Sequence, residues 1–304
     1  PPPMTETAIE VEGLRKAYGP HEAVRGISFS VARGEVFAIL GPNGAGKTTT
    51  VEILEGYRDA DAGTIRVLGM DPATGGTAYR ARIGIVLQAS GVYPYMSVRE
   101  AAELFAGWYP NPRPVPEVLA AVDLTDQAAT RVRTLSGGQR RRLDVALALV
   151  GNPELLFLDE PTTGFDPGAR RGAWEMIAGL AAAGTTILLT THYMDEAQAL
   201  ANRVAVMREG EIVAIGPPAA LGAGGRPQIR FVLPDGGDAS LLASLAGGTI
   251  LQTGDRLVLE VDDPTRALHI LTGWALDRGC VLDRLEVARP SLEDVYLALT
   301  AAAP

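Results

Sequence analysis

Gly41-Pro42-Asn43-Gly44-Ala45-Gly46-Lys47-Thr48-Thr49 is the stretch that decides the fold. It matches the pattern G-x-x-x-x-G-K-[ST] at every fixed position. The residues before it, 36–40, form an unbroken apolar run, which is typical of a buried parallel strand, and the apolar residues after it recur with helical spacing. The sequence therefore predicts a strand, a glycine-rich loop and a helix, an arrangement whose backbone can cradle phosphate groups.

Each residue type in this loop has a chemical role. The glycines let backbone N–H groups turn toward phosphate oxygens, and the start of the helix adds partial positive charge. Lys47 can reach the terminal phosphates, and the hydroxyl of Thr48 is a ligand of the kind that Mg²⁺ accepts. Lys16 and Lys47 are the only lysines, so a chain that otherwise uses Arg places a compact ammonium here. The loop predicts binding of a nucleoside triphosphate.

The composition describes a folded protein without a general attraction to nucleic acid. The chain has 304 residues, of which 47% are hydrophobic and 21% charged, which favours two domains or one large domain with an appendage. The formal net charge is −9, so nucleic acid is not a predicted partner. Cys280 is the only cysteine, which excludes an intrachain disulfide and favours a reducing compartment. No apolar run approaches the roughly 18–20 residues that span a bilayer, and the start lacks the features of a signal peptide.

Two adjacent carboxylates follow a further apolar run. Residues 155–158 are typical of a buried strand, and Asp159 and Glu160 come directly after it. Paired carboxylates at the end of a buried strand are costly unless a cation or a catalytic task holds them. Asp159 is predicted to hold Mg²⁺ through water, and Glu160 to polarise the attacking water. The alternative is an ordinary polar entry into a loop.

Gln88 and His192 also follow apolar runs, at 83–87 and 186–189. Ligands bind beyond the carboxyl ends of strands in open α/β sheets, so both side chains are candidates for the same site. Gln88 could ligate Mg²⁺ or orient a water, or it could be a surface glutamine. His192 could bond the γ-phosphate. Tyr18, on a turn ahead of the glycine-rich loop, could stack on a nucleotide base or be a half-buried residue at a strand end.

A second helix start could also bind an anion. Leu135-Ser136-Gly137-Gly138-Gln139 opens a helical pattern, and Ser136 and Gln139 have the spacing of a capping box, so Ser136 could simply cap this helix. Two consecutive glycines inside a cap, however, cost about 1 kcal/mol each relative to Ala. Bare backbone at a helix start allows a phosphate to approach closely. The two interpretations stay open at this point.

The remaining patterns divide the chain into regions. We expect a flexible tail at 1–7, a nucleotide-binding domain at 8–216, a Pro- and Gly-rich linker at 217–228 and a small α+β domain at 229–304. The nucleotide-binding domain begins with antiparallel strands and carries a mostly helical insertion at about 91–150. In the α+β domain the patterns predict strands at 229–233, 257–261 and 280–287 and helices at 239–246, 265–278 and 291–299.

Together these motifs closely resemble the nucleotide-binding subunits of ABC transporters, over about residues 4–216. Residues 135–139 are similar to that family's signature motif. The resemblance implies an α/β P-loop NTPase fold with a mixed central sheet, an antiparallel β-subdomain and a helical insertion. It implies ATP and Mg²⁺ as ligands, and ATP hydrolysis coupled to transport.

The resemblance also implies roles for individual residues. Tyr18 resembles the base-stacking aromatic, Asp166 matches the loop that meets the opposite subunit, and His192 resembles the γ-phosphate switch histidine. Catalysis is implied for Glu160, His192 and Lys47, and metal binding for Thr48, Gln88 and Asp159. Nucleotide contacts are implied for Tyr18, Gly41, Pro42, Asn43, Gly44, Ala45, Gly46, Lys47, Thr48, Thr49, Gln88, Ser136, Gly137, Gly138, Gln139 and Asp166.

The family pattern further implies an assembly. Two copies would meet head to tail, with each ATP between the phosphate loop of one copy and the signature motif of the other. The dimer would drive separate permease subunits from the cytoplasmic face of the membrane, with docking expected at 89–108. Residues 290–296, Pro290-Ser291-Leu292-Glu293-Asp294-Val295-Tyr296, resemble the ending of subunits that serve drug and antibiotic exporters.

Two other functions are compatible with the same motifs. A soluble ABC ATPase acting on DNA or ribosomes usually has a coiled-coil insert or two cassettes in one chain, and this sequence has neither. An importer subunit would carry an appended domain that regulates uptake. The sequence favours the exporter subunit over both.

Overall fold

The computed structural model describes residues 6–86, 93–223, 226–233, 237–252 and 256–288. These belong to two units, Pro1–Pro217 and Pro218–Pro304. Gln88, and the helix predicted at 291–299, lie outside the described residues. No helix in the described ranges combines the length and the apolar character needed to cross a bilayer.

The first unit alternates strands and helices. Its strands are β1 (Thr7–Tyr18), β2 (His21–Ala32), β3 (Val36–Leu40), β4 (Ala62–Val67), β5 (Ile83–Val86), β6 (Leu155–Asp159), β7 (Thr186–Thr191), β8 (Arg203–Arg208) and β9 (Glu211–Gly216). Its helices are α1 (Lys47–Leu54), α2 (Gly76–Arg80), α3 (Val98–Ala106), α4 (Val115–Ala121), α5 (Gly137–Leu149), α6 (Pro167–Ala182) and α7 (Met194–Leu200).

A six-stranded sheet positions the functional loops. Its order is β5-β6-β7-β3-β8-β9, and every neighbouring pair is parallel except the hairpin β8–β9. Every residue of β3 and β7 is buried, as expected for strands covered on both faces. The carboxyl ends of β3, β6 and β7 lie side by side, because Leu40 pairs with Thr191 and Asp159 pairs with Thr190. The loops that follow these strands therefore meet at one edge of the sheet.

An antiparallel sheet, in the order β2-β1-β4, packs against the central sheet. The two sheets share one hydrophobic core, and Phe29 on β2 stacks on Phe37 on β3 with ring centroids 5.3 Å apart. Such stacking contributes about 0.5–1.5 kcal/mol beyond the area it buries. This packing sets β2 and its turn beside the loop that follows β3.

Helix α3 begins at a capping box. Ser97 caps α3 in a complete capping box, since its hydroxyl accepts from the backbone N–H of Glu100 and the Glu100 carboxylate accepts from the N–H of Ser97. The proline-rich stretch after α3 interrupts the helix, and α4 starts with Val115 and a proline in its first turn. Helix α5 then leads back into the central sheet through β6.

The second unit is an antiparallel sheet in the order β11-β12-β10-β13, with a core shared by two helices. The element α8 (Pro218–Ala223) precedes it, within the segment predicted to be a linker. The elements are β10 (Gln228–Phe231), α9 (Ala239–Ala246), β11 (Gly248–Gln252), β12 (Leu257–Val261), α10 (Pro264–Asp277) and β13 (Glu286–Ala288).

The strand predicted at 280–287 is largely wrong. Only the end of this segment is extended, in β13. Gly279 takes a left-handed conformation (φ +62°), and the backbone N–H of Cys280 donates to Ala275 O. Both features close the end of α10, so the first residues of the predicted strand belong to a helix end. Arg284, also left-handed at φ +54°, turns the chain before the strand begins. Strand β11 was missed because its apolar run has only two residues, Ile250 and Leu251, with a polar residue on either side.

Candidate functional site

The glycine-rich loop connects β3 to α1. Gly44 and Gly46 take left-handed conformations, with φ of +83° and +98°. A Cβ atom on Gly46 would lie 2.3 Å from Ala23 O, and one on Gly41 would lie 2.3 Å from Met207 O. Only glycine fits at these two positions, because the loop backbone passes directly against β2 and β8. The packing of the sheets thus holds the loop in a shape that exposes its N–H groups.

Lys47 lies almost completely buried at the start of α1. Its ammonium donates to Gly41 O at 2.8 Å and to Pro42 O at 3.2 Å, and it lies 3.6 Å from Glu160 Oε1. Burial lowers the pKa of Lys47, while the carboxylates of Glu160 and Asp159 act in the opposite direction. The ammonium therefore lies inside the loop with neutral carbonyl oxygens as its hydrogen-bond acceptors. Phosphate oxygens are stronger acceptors and can replace them.

Glu160 and His192 meet beside this lysine. His192 Nδ1 lies 3.2 Å from Glu160 Oε1, and Thr163 Oγ1 donates to Glu160 Oε2 at 3.1 Å. Burial raises the pKa of the Glu160 carboxyl, but His192, Thr163 and Lys47 lower it by more, so the group is held as a carboxylate. Glu160 also has φ +45°, a left-handed conformation that costs a non-glycine residue about 1–2 kcal/mol.

Asp159 ends β6 next to Glu160. The hydroxyl of Thr190, on the neighbouring strand β7, donates to Asp159 Oδ1. The same hydroxyl accepts from the Glu160 backbone N–H at 3.1 Å. A single threonine thus fixes the orientation of both acidic residues, and the sequence pattern contained no signal for this role.

A cavity of about 480 Å³ surrounds the loop. Its walls include Tyr18, His21, Asn43, Thr48 and Glu160. The Tyr18 ring is partly exposed, and two cations lie near it, with Lys16 Nζ at 5.8 Å and the Arg58 guanidinium carbon at 5.6 Å from the ring centroid. The two-residue turn that pairs His21 with Tyr18 brings this exposed histidine to the edge of the cavity.

The signature motif lies at a second cavity. Ser136 caps α5, since its hydroxyl accepts from Gln139 N at 3.2 Å while Gln139 Oε1 accepts from Ser136 N at 3.0 Å. The capping interpretation is therefore correct for the free chain, and Gly137 next to it is exposed with open space around it. A cavity of about 410 Å³ lies between this helix start and the beginning of α6. It shares no lining residue with the cavity around the glycine-rich loop.

Asp166 belongs to the second cavity and caps α6. Its Oδ1 accepts from the backbone N–H groups of Ala169 at 3.0 Å and Gly168 at 2.9 Å, which lowers the pKa of the carboxyl. Across the described ranges, no group of three or more His, Cys, Asp or Glu side chains is arranged to hold a metal ion. A Mg²⁺ ion bound largely by phosphates needs only one or two protein ligands, so this site needs no such cluster.

Comparison with known proteins assigns the chain to a family. It is 40% identical over 306 residues to the daunorubicin resistance ATP-binding protein DrrA3 of Streptomyces coeruleorubidus, an alignment that covers 98% of this chain and 97% of that protein. The ABC transporter family model matches residues 24–163. The chain is an ABC transporter ATP-binding subunit. The family and the α/β fold predicted from the motifs are both confirmed.

Further relatives of this ABC ATPase agree. It is 46% identical over 223 residues to the Nod factor export ATP-binding protein I of Paraburkholderia xenovorans (strain LB400), covering 72% of this chain and 73% of that protein. The structure of cbiO1 from Clostridium perfringens, part of the ABC transporter complex cbiONQ, matches with a TM-score of 0.66 and 30% identity, over 72% of this chain and 91% of that one. Residues 227–291 match an ABC transporter domain-containing protein-like C-terminal domain.

As an ABC ATPase, the chain binds and hydrolyses ATP to power a membrane permease. The structure brings Lys47, Glu160 and the glycine-rich loop into one cavity, with His192 beside Glu160, and it leaves Ser136 and Asp166 at another. The roles assigned to the individual residues stay predictions. Sequence reasoning missed Thr190 and Arg141, because their contacts join residues from separate elements and no local pattern marks them. It also missed Thr163, whose contact with Glu160 three residues earlier depends on the turn that the loop takes.

Proposed function

We propose that this ABC ATPase acts as a homodimer with two composite ATP sites, and that it drives a separate permease that exports drugs, antibiotics or other small lipophilic molecules. The observation that carries the dimer is the separation of the two cavities. The loop cavity holds Lys47 and Glu160, whereas the signature cavity offers an exposed helix start, and the two cavities have no lining residue in common. A helix start with bare glycine backbone is suited to a phosphate that another copy supplies.

Within the loop cavity, the chain's own groups account for hydrolysis. Glu160 is a carboxylate and accepts a proton or a hydrogen bond from the attacking water, while Lys47 neutralises the charge that develops on the terminal phosphate. His192, 3.2 Å from Glu160, contacts the γ-phosphate and orients the carboxylate. Tyr18 stacks on the base at the outer end of the same cavity. The signature motif of the partner covers the phosphate and excludes water that is not in line.

Mg²⁺ fits the donor set of this cavity. Thr48 is exposed at the start of α1 and offers a hydroxyl, and Asp159 offers a carboxylate oriented by Thr190. Gln88 is the third proposed ligand, from a segment outside the described residues. The ion would neutralise charge on the phosphates and help to align them.

Export and membrane partnership rest on the relatives. One relative is named for daunorubicin resistance and another for Nod factor export. We infer that this chain lies at the cytoplasmic face of the membrane, held there by its permease, and that nucleic acid is not its partner. Tyr93 and Tyr95, exposed ahead of α3, support a docking surface for the permease in this segment.

A dilution series tests the composite sites. The specific ATPase activity of the purified chain should fall as its concentration is reduced below the dimer dissociation constant, because no monomer contains a complete site. Light scattering of the same samples should report monomers where activity is lost. Substantial activity that is independent of concentration in proven monomers would refute the dimer.

Lys47→Ala supplies the matched control for this series. Truncation removes the ammonium from the phosphate site, so ATP affinity and activity should both be lost at every concentration. Residual activity in this variant would come from a contaminating ATPase. For the transport role, detergent extraction should co-purify a polytopic membrane protein, and recovery of ribosomes or nucleic acid instead would contradict it.

A further inference from the structure

We propose that Arg141 is a positioning residue that couples the two half-sites of one chain, by holding Glu160 in place from the helix that carries the signature motif. The inference rests on the proposed composite site. In that site, α5 contributes its start to the ATP of the partner copy. Arg141 lies in the second turn of the same helix, where it is buried and its guanidinium contacts the catalytic segment of its own chain.

The contacts of Arg141 bracket Glu160. Its Nε donates to Pro161 O at 3.2 Å, and its Nη2 donates to Asp159 O at 3.1 Å. These carbonyls belong to the residues immediately before and after the catalytic carboxylate. A guanidinium presents its donors in a rigid planar fork, so two bonds from one side chain fix the relative positions of both acceptors.

The backbone conformation of Glu160 explains why the two hydrogen bonds of Arg141 to Asp159 O and Pro161 O, called the clamp below, are needed. A left-handed backbone at a glutamate persists only where the surrounding contacts over-determine it, and Glu160 has φ +45°. Its N–H is held by Thr190 O at 3.1 Å, and its carbonyl accepts from Thr163 N at 3.2 Å. Arg141 completes these constraints from the side of α5, with one hydrogen bond to each of the two flanking carbonyls.

The burial and the charge of Arg141 support a positional role for its hydrogen bonds. Arg141 is only 8% exposed, and burial lowers the pKa of its guanidinium, while the carboxylates of Asp144, Asp159 and Glu196 act in the opposite direction. A buried cation that formed no specific bonds would be strongly unfavourable, so its retention here matches a positional role. Arg142, the next residue, instead pairs with the exposed carboxylate of Asp123.

Helix α5 connects the signature motif to the residues that flank Glu160. Ser136 and Arg141 are separated by about 7.5 Å of helical rise, and a helix segment of this length moves as a rigid body. When the partner's phosphate engages the start of α5, any shift or rotation of the helix is transmitted through the two hydrogen bonds to the peptides that flank Glu160. Binding at one ATP site thereby sets the position of the catalytic carboxylate at the other.

Arg141→Lys tests the clamp, because it keeps the charge and loses the fork. We expect kcat to fall by about 10- to 100-fold, as for a catalytic group displaced by a fraction of an ångström, with the KM and affinity for ATP changed by less than about twofold. Arg142→Lys is the matched control on the same helix, and its turnover should stay within about twofold of wild type, since an exposed ion pair tolerates the exchange. Equal turnover of Arg141→Lys and wild type would overturn the proposal.

Mixed dimers show on which Glu160 the residue acts. Copies with different affinity tags are combined, and each dimer contains one Glu160→Gln copy so that a single site remains competent. Single-turnover cleavage should be lost when Arg141→Lys is on the copy with the intact Glu160. It should be retained when Arg141→Lys and Glu160→Gln are on the same copy. The reverse pattern would mean that Arg141 acts on the partner's site, and it would refute the clamp.

Two further measurements keep the outcome clear. ATP affinity and the thermal midpoint of each variant show whether it is folded, and Arg141→Gln, which keeps an amide donor without a buried charge, replaces Arg141→Lys if that chain does not fold. If the proposal of a composite site is wrong, the unsubstituted chain will show ATPase activity that does not depend on dimerisation. If only the clamp proposal is wrong, Arg141→Lys turns over like wild type, while the activity of the wild type still depends on dimerisation. The two failures are therefore distinguishable.

Discussion

Glu55 gives a pH dependence of stability that follows directly from its position. It lies at the end of α1, is 4% exposed, and has a pKa raised to about 8 by burial and, to a smaller extent, by the charges of Asp159 and Glu52. In the unfolded chain the same carboxyl titrates near 4.5. The folded state therefore binds a proton that the unfolded state releases over the intervening pH range.

The size of the effect follows from this difference. At about 1.4 kcal/mol per pKa unit, the shift from 4.5 to about 8 corresponds to at most about 5 kcal/mol. Because the folded pKa is the higher one, this stabilisation is complete below the unfolded pKa and is lost as the pH rises through about 8. Glu55→Gln keeps the shape of the side chain and cannot ionise. Its free energy of unfolding should therefore lack this fall, and the variant should be more stable than wild type on the alkaline side.

Denaturant unfolding at about pH 5, 7 and 9, in the absence of nucleotide and metal, measures the difference. Glu52→Gln is the matched control, because Glu52 lies one helical turn earlier and pairs with Arg58 near the surface. Since burial is the largest cause of the raised Glu55 pKa and the charge of Glu52 the smallest, this variant should keep most of the wild-type pH slope. If wild type and Glu55→Gln lose stability in parallel as the pH rises, the carboxyl is not buried as the structure has it, and the reasoning fails.

Three other predictions address the site and the packing. Glu160→Gln should reduce turnover by about 10²- to 10⁴-fold while ATP still binds and an ATP-dependent dimer accumulates on gel filtration; rapid turnover would assign the role of the base elsewhere. Gly46→Ala should lose ATP affinity by titration, because its Cβ would lie 2.3 Å from Ala23 O, whereas Gly44→Ala, with nothing within 4 Å of its Cβ, should lose much less; equal losses would show that backbone strain and not the contact matters. Glu154→Gln should cost about 1 kcal/mol at neutral pH after allowance for solvent, because two arginines lower the pKa of Glu154 to about 2. That cost should vanish in unfolding measurements as the pH falls from about 4.5 toward 2, and a constant difference would contradict the ion pairs.

Elements with local signals were predictable in detail. The capping box at Ser97 marks the start of α3, and α9 and β12 begin and end at the residues that the pattern indicates, 239–246 and 257–261. The prediction failed at 280–287, where a short apolar run, Cys280-Val281-Leu282, begins directly after Gly279. Such a run does not reveal that its first residues close a helix, because that depends on one backbone hydrogen bond from Cys280 to Ala275 O.

The candidate site divides in the same way. The phosphate loop, the carboxylates at Asp159 and Glu160 and the histidine at 192 are each marked by residues adjacent in sequence, since each follows a buried strand. Their meeting point is also predictable, because parallel strands end at one edge of a sheet. The separations between Glu160, Lys47 and His192 are not, since they depend on strand order and on the turn that each loop takes.

By itself, the sequence determined that this chain has a phosphate-binding loop between a buried strand and a helix, and it predicted a glycine-bearing helix start as a second candidate phosphate site. Those features are local, because they depend on a few neighbouring residues and on the allowed backbone angles of glycine. Only the tertiary structure decided that Glu160 is held in a left-handed conformation, that Arg141 donates hydrogen bonds to the carbonyls on either side of it, and that Glu55 is buried. Each of these depends on residues far apart in the chain that come into contact only when the sheets and helices pack, and no short-range pattern encodes such contacts.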